Sequence, residues 1–271
     1  MTNRTLAILD PHKPTHRREL EAHLNRDPLL HIYEIGDLDP FFIGHTRWFA
    51  LRVDGMIERL LLLYTGGEIP NIIALDRRDP TLTAALVDAA APHLPELFHA
   101  HLSVGVAPLV ESHWSITPHG RYLRMALTDP SALPEVDPSM KRLDRSHLPE
   151  ILRLYADAYP GNWFDQRMLD TGFYFGLREG SELLSIAGVH VVSAEMSVAA
   201  LGNITTAHSA RRRGLARRTT ATLCQALLES VNEVGLNVAA ENSAAIACYR
   251  SIGFETIAQF DEARLTRISS G

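Results

Sequence analysis

Arg211-Arg212-Arg213-Gly214-Leu215-Ala216 and, further on, Leu236-Asn237-Val238-Ala239-Ala240-Glu241-Asn242-Ser243-Ala244-Ala245-Ile246-Ala247-Cys248-Tyr249-Arg250-Ser251-Ile252-Gly253-Phe254 decide how this chain folds. The first stretch follows an apolar, strand-type run from Val198 to Thr205 and opens a helical pattern from Gly214 to Val234. In that pattern Leu215, Thr219, Leu223, Leu227 and Val231 recur at every fourth position, with Gly235 as the expected stop. A strand that hands over to a helix leaves unpaired backbone N–H groups at the helix start. Together with the positive end of the helix dipole they form a site for phosphate or pyrophosphate. Gly214 and Ala216 let a ligand approach the backbone closely, and the arginines add positive charge. The second stretch reads as a buried strand from Leu236 to Ala240 and a helix from Ser243 to Ser251, then a final strand from Phe254 to Phe260. Asn242 is placed to cap that helix, and Tyr249 lies about two turns along it.

Upstream, Met140 to Leu143 reads as a short strand, and Ser146 as the N-cap of a helix carrying Leu148, Ile151, Leu152 and Tyr155 on one face. A short helix is expected over Phe164 to Leu169. Phe173 to Leu177 and Leu184 to Val192 form a hairpin turning at Glu179-Gly180-Ser181. The proline-punctuated stretch 129–139 suits neither a helix interior nor a central strand, and it divides the chain into domains 1–128 and 140–271. The first half has a helix ending near Asn25, then strands over Trp48 to Val53 and Ile57 to Tyr64 joined by the tight turn Asp54-Gly55. A strand from Ile69 to Leu75 and a helix from Thr81 to His93 follow, then strands over Leu97 to Val104 and Tyr122 to Leu127. The class is α+β, and the first half has no Gly-rich phosphate loop.

The 271 residues carry 26 Lys and Arg against 32 Asp and Glu, a formal charge of −6. That balance argues against a dedicated nucleic-acid binder. Apolar runs such as Leu60-Leu61-Leu62-Leu63 fall far short of the ~20 residues that span a bilayer, and the N-terminal residues complete no signal-peptide core. Cys224 and Cys248 are too few for a disulfide framework or a cysteine-based metal cluster, so a reduced, cytoplasmic protein without a metal is expected.

The pattern R-x-x-G-x-A followed by N-x-x-A-x-x-x-Y-x-x-x-G-F resembles the acetyl-CoA binding core of the GNAT N-acetyltransferase superfamily, over roughly Met140 to Leu265. The resemblance implies the GNAT acyl-CoA N-acyltransferase fold, a mixed and mostly antiparallel central sheet with flanking helices. It implies acetyl-CoA as cosubstrate and a primary amine of a small molecule or peptide as acceptor. In such a fold the backbone of Ile204, Thr205 and Thr206 bonds the pantetheine arm, and Arg211, Arg212, Arg213, Gly214, Leu215 and Ala216 hold the pyrophosphate. Asn242 would contact the cofactor arm, and Tyr249 would act as general acid for the leaving thiolate. His208 departs from the proline that many relatives carry there. The strand–turn–strand–helix order of the first half resembles a second, divergent GNAT-like domain, giving two in tandem. The layout and the run Gly202-Asn203-Ile204-Thr205-Thr206 are similar to glycine N-acyltransferase-like proteins.

Acyl transfer from a thioester needs a deprotonated, positioned amine, a donor for the developing oxyanion and an acid for the thiolate. Glu195 and His190, beside the cofactor strand, are the candidate bases, although Glu195 also fits a hairpin turn and His190 a sheet lining. Tyr159, Asn162, Trp163 and Asp165 are the candidate acceptor side, alternatively a surface loop anchored by the Trp. His31, Tyr33, Glu34, Asp37 and Asp39 in the first half would favour a cationic acceptor, or form a solvated acidic loop. Besides an acyltransferase, these residues are compatible with a non-catalytic acyl-CoA binding or sensing module. A nucleic-acid binder using the five arginines within 211–218 fits the negative net charge poorly. Oligomers are compatible with the sequence.

Overall fold

The computed structural model describes residues 3–268; Met1, Thr2 and residues 269–271, which the ranges 1–128 and 140–271 and the N-terminal reading take in, lie outside the described residues. In chain order the first elements are β1 (Arg4–Leu9), α1 (Pro14–Leu24), α2 (Ile32–Gly36), β2 (Thr46–Val53), β3 (Met56–Tyr64), β4 (Asn71–Ala74), α3 (Pro80–Ala90), β5 (Leu97–Ser103) and β6 (Trp114–Leu127). They are followed by β7 (Lys141–Arg142), α4 (Leu148–Ala158), β8 (Phe175–Glu179), β9 (Glu182–Ser193), β10 (Val198–Thr206), α5 (Leu215–Leu228), β11 (Glu233–Ala239), α6 (Ser243–Arg250) and β12 (Phe254–Arg267). The chain forms two compact units. Unit 1 comprises residues 3–124, 239–241 and 257–268, and unit 2 comprises 125–238 and 242–256.

In unit 1, β1 pairs antiparallel with β2 from Arg4↔Val53 to Leu9↔Trp48, and β2 with β3. The β2–β3 turn is tight because Asp54 (φ 49°) and Gly55 (φ 86°) both accept left-handed backbone. β3 pairs antiparallel with β4, β4 parallel with β5, and β5 antiparallel with the last strand from Phe260↔Ser103 to Thr266↔Leu97. α3 covers this sheet, burying Ala84, Leu86, Val87 and Ala90 among Phe49, Leu61, Phe98, Leu102 and Trp114.

Unit 2 repeats that order. β7, β8, β9 and β10 pair antiparallel in succession, α5 follows, and β11 pairs parallel with β10. Three expectations are corrected in this region. The first is the N-cap of the helical segment after β7, which belongs to Asp144, whose carboxylate accepts from Ser146 N at 2.9 Å and closes a box with His147. The segment expected as a helix over Phe164 to Leu169 is a 3-10 turn over Gln166–Thr171, started by the Asp165 side chain. α5 ends at Leu228, and Gly235 lies inside β11, because Ser197 O accepts from both Asn232 N and Glu233 N and draws the chain into the next strand. The stretch 129–139 is tied to α5: Arg218 Nε donates to Asp137 at 2.6 Å, and Gln225 donates to the Pro134 carbonyl.

Candidate functional site

The site is built around an interruption in β10. Its parallel ladder with β11 runs from Val198↔Glu233 to Leu201↔Leu236. β10 itself continues to Thr206, pairing with β9 at Thr205↔Ile186 and Thr206↔Ser185. Residues 202–206, including Ile204, Thr205 and Thr206, therefore lie beyond the β11 ladder and have main-chain groups to offer a ligand.

The register of β9 against β10 shifts between Gly202 and Thr205, and Asn203 there adopts φ 55°. Among non-glycine residues Asn tolerates this left-handed backbone best. Hydrogen bonds hold the bulge. Tyr155 Oη donates to Asn203 O at 2.9 Å, Asn203 Nδ2 donates to Tyr174 Oη at 3.0 Å, and Tyr174 Oη donates to Val189 O at 3.1 Å. Burial pushes both phenols above their ordinary pKa, so they stay protonated.

A second shift gives β9 one extra residue. Val191 faces Ala200 and Val189 faces Leu201, with His190 between them. Its imidazole lies directly on Gly202, where an added Cβ would fall 2.2 Å from ring Cδ2 and Nε2. The edge of Trp163 meets it at 5.5 Å and 88°, and Asn203 hydrogen-bonds it. Burial lowers its pKa to about 4 despite that bond, so the ring is neutral at neutral pH. Glu195 is exposed in the β9–β10 turn. It lies at the end of the strand pair remote from Thr206, and the extended strand from Val198 to Gly202, about 13 Å, separates that turn from Gly202.

At the other end of β10 the chain passes through a 3-10 turn over His208–Ala210 into the arginine loop. Arg212 (φ 63°) and Gly214 (φ 74°) are both left-handed, which turns successive N–H groups toward one side. Gly214 is the N-cap of the 14-residue α5 and offers no side-chain cap, and a Cβ there would meet nothing within 4 Å. Arg211 to Gly214 are exposed, whereas Leu215 is buried and Ala216 half-buried. Thr219 Oγ1 donates to Ser185 Oγ at 3.1 Å, and Ser185 also bonds Thr205 O and Thr206, fixing this helix start against the strand end. The arginines do not form one open basic face: Arg213 pairs with Glu179, and Arg218 with Asp137.

The residues expected on the acceptor side sit in the loop after α4. Thr205 Oγ1 and Arg211 both donate to Ala158 O at 3.4 Å, and His208 Nε2 lies 3.1 Å from Asp157 O, binding this helix end to β10. Tyr159 and Trp163 are exposed aromatics, 44% and 40%, in the same loop as Asn162. Asp165 is engaged with Arg167 at 2.6 Å. Asn242 caps α6 by accepting from Ala245 N at 3.1 Å, and Tyr249 is buried with its ring 6.0 Å from Phe254. Asn203, Tyr174 and Gly202 received no role from the sequence. A Gly-Asn pair inside a strand-type run was the available signal, since both residues mark bulges.

In unit 1 the corresponding features are closed. All of β4 pairs with β5, from Asn71↔His99 to Ala74↔Leu102. The α3 N-terminus is capped by Asp79, which accepts from Thr81 N at 2.9 Å. The loop before it is filled by Asp76, which accepts from Arg78 N at 2.8 Å; burial opposes its ionisation, but Arg78 and Arg59 hold it below the usual carboxylate range. The acidic group of the first half is no solvated loop, because His31, Tyr33, Glu34 and Asp37 are buried and Asp39 is half-buried. Burial raises Glu34, but His31 at 3.0 Å and Arg124 at 3.4 Å outweigh it and keep the carboxylate ionised. Burial and the Glu34 charge push Asp37 well above its ordinary value, toward the neutral acid.

Residues 174–264 match the family model for FR47-like protein. No curated protein sequence matches the chain significantly. Among solved structures, a Drosophila protein is 13% identical over 97% of this chain and 99% of its own, with a TM-score of 0.71. A GCN5-related N-acetyltransferase from Sphaerobacter thermophilus is 14% identical over 98% of this chain and 96% of its own, with a TM-score of 0.60. A tandem GNAT protein from the clavulanic acid biosynthesis pathway is 15% identical over 99% of this chain and 100% of its own, with a TM-score of 0.58. At such identities the likeness establishes the fold: the chain has the α+β GNAT acyltransferase fold, and its C-terminal half carries the FR47-like segment. Among the described residues no helix is long and apolar enough to cross a membrane, and no group of three His, Cys, Asp or Glu is placed to hold a metal.

Proposed function

We propose that unit 2 transfers an acetyl or other short acyl group from acyl-CoA to a primary amine of a small molecule or peptide, by direct attack. The observation that carries this is the pairing of two features at the end of β10: a stretch beyond the β11 ladder and the uncapped start of α5 behind the left-handed Gly214. The first suits the amides of a pantetheine arm, with Asn242 of the chain's second motif proposed as a further contact to it. The second suits a pyrophosphate, held by the backbone of Arg212 to Ala216 with Arg211 adding charge. The open space over Gly214 fits that use.

Tyr249 is the group proposed to protonate the leaving thiolate. Of the two candidate bases, His190 lies against Gly202 where β10 leaves its ladder, so the proton from the amine is assigned to it rather than to Glu195. Tyr159 and Trp163 offer exposed aromatic surface to the acceptor. Cys224 and Cys248 are free, which suits a reducing cytoplasm.

Calorimetric titration with acetyl-CoA at two salt concentrations tests the cofactor assignment, and thiol release in the presence of a panel of primary amines tests turnover. Saturable binding followed by amine-dependent release is the expected result. Absence of binding would overturn the assignment, whereas binding without release from any amine would favour a non-catalytic acyl-CoA module.

A further inference from the structure

Ser185 interrupts an apolar run of β9, Leu183-Leu184-Ser185-Ile186-Ala187, and its side chain is wholly buried. A hydroxyl in such a place costs stability unless its hydrogen-bonding capacity is met. Here all of it is met. A serine oxygen has one proton to give and two lone pairs. Thr205 O is a carbonyl and can only accept, so Ser185 Oγ donates to it at 3.2 Å. The two lone pairs then accept from Thr219 Oγ1 at 3.1 Å and from Thr206 Oγ1 at 3.0 Å. Thr219, equally buried, shares its proton with Leu215 O at 2.8 Å, the carbonyl of the first residue of α5. One side chain of β9 thus joins the last two residues of β10 to the start of α5. The chain's own connection between those ends is residues 207–214, a 3-10 turn followed by a loop with left-handed Arg212 and Gly214.

We propose that Ser185 and Thr219 are positioning residues for acyl-CoA: they hold the end of β10 and the start of α5 at the spacing that lets the arm and the pyrophosphate of one molecule be gripped together. The proposal rests on the acyltransferase reading of unit 2. Both hydroxyls are engaged with protein partners, so they act through the main chain and not by touching the cofactor. Two subsites reinforce each other only when their separation matches that of the groups on the ligand. A separation free to vary must be fixed at the moment of binding, and affinity is lost in fixing it. The two parts of the cofactor, offered as separate molecules, feel no such constraint. That difference separates a spacing role from local damage to either subsite.

The test uses Ser185→Ala and Thr219→Val, which remove the hydroxyls from two different elements with little change of volume, so that one answers where the other does not fold. Acetyl-CoA affinity is measured by calorimetry, and the affinities for S-acetylpantetheine and ADP by NMR titration. Each variant should bind acetyl-CoA about 10- to 100-fold more weakly, with each part changed by less than about 2-fold. In thiol release with the best amine of the panel, KM for acetyl-CoA should rise by the same factor while kcat at saturation changes less than about 3-fold. Thr219→Ser keeps the hydroxyl and should bind acetyl-CoA as the wild type does. Combining the two substitutions should cost less than about 2-fold beyond either alone, because the two side chains act as a unit. Unchanged acetyl-CoA affinity, an equal loss for a separate part, or no recovery in Thr219→Ser would overturn the proposal. Failure of the wild type to bind acetyl-CoA would instead overturn the acyltransferase reading.

Discussion

Gly202 shows how much one methyl group would decide at the residue scale. A Cβ placed 2.2 Å from the His190 ring forces the imidazole off the strand. Gly202→Ala should cost about 1–3 kcal/mol by overpacking, read as a lower Tm, together with a fall in kcat larger than the change in acetyl-CoA affinity. Tyr249→Phe should lower turnover on the order of 100-fold with little change in cofactor binding. An unchanged rate over the whole pH range would remove Tyr249 as the acid. The motif residues Gly214, Asn242 and Tyr249 were legible because their spacing is local. Asn203, Tyr174 and His190 were not legible as a group. They lie on separate strands or loops, and only the register of β9 against β10, with its two shifts, brings them together.

At the scale of elements, two helix starts in equivalent places differ in what fills them. α5 begins behind an uncapped Gly214, and α3 begins behind Asp79, with Pro80 in its first turn. Gly214→Glu should abolish binding of coenzyme A by placing a carboxylate over the proposed pyrophosphate amides, measured by calorimetry on a variant with an unchanged circular dichroism spectrum. Asp79→Ala should lower the Tm through the lost cap and leave coenzyme A affinity untouched. Element types were largely legible from periodicity, but their ends were not. The every-fourth-residue pattern of α5 continues to Val231, yet the helix stops at Leu228, and the Ser197 carbonyl captures the amides of Asn232 and Glu233 and draws the chain into β11. α2 was missed because its five residues are too few to show a period and all of them are buried.

For the whole molecule, the closed loop before α3 and the full β4–β5 ladder predict one coenzyme A per chain. A calorimetric stoichiometry of two would contradict this. Each unit also holds a histidine with a depressed pKa, buried His23 in unit 1 and half-buried His190 in unit 2, each lowered to about 4, mainly by desolvation. At these two histidines the unfolded chain therefore binds more protons than the folded one between about pH 6.5 and pH 4, and the stability they contribute falls as pH drops through that window, against an opposite contribution from the raised Asp37. Shifts of this size correspond to roughly 2–4 kcal/mol per histidine. Urea midpoints measured from pH 7 to pH 4 should decline, and His23→Gln should flatten part of that decline.

The prolines of 129–139 mark where the chain bends but not which sheet a distant strand joins. Unit 1 takes its strand beside β5 from residues that follow all of unit 2, with Phe260 opposite Ser103. On a ribosome adding about 5–20 residues per second, β5 then waits several seconds or longer with that edge uncovered. An uncovered edge is a template for pairing with other chains. Nascent chains arrested before residue 257 should accordingly depend on chaperones that the finished polypeptide no longer needs.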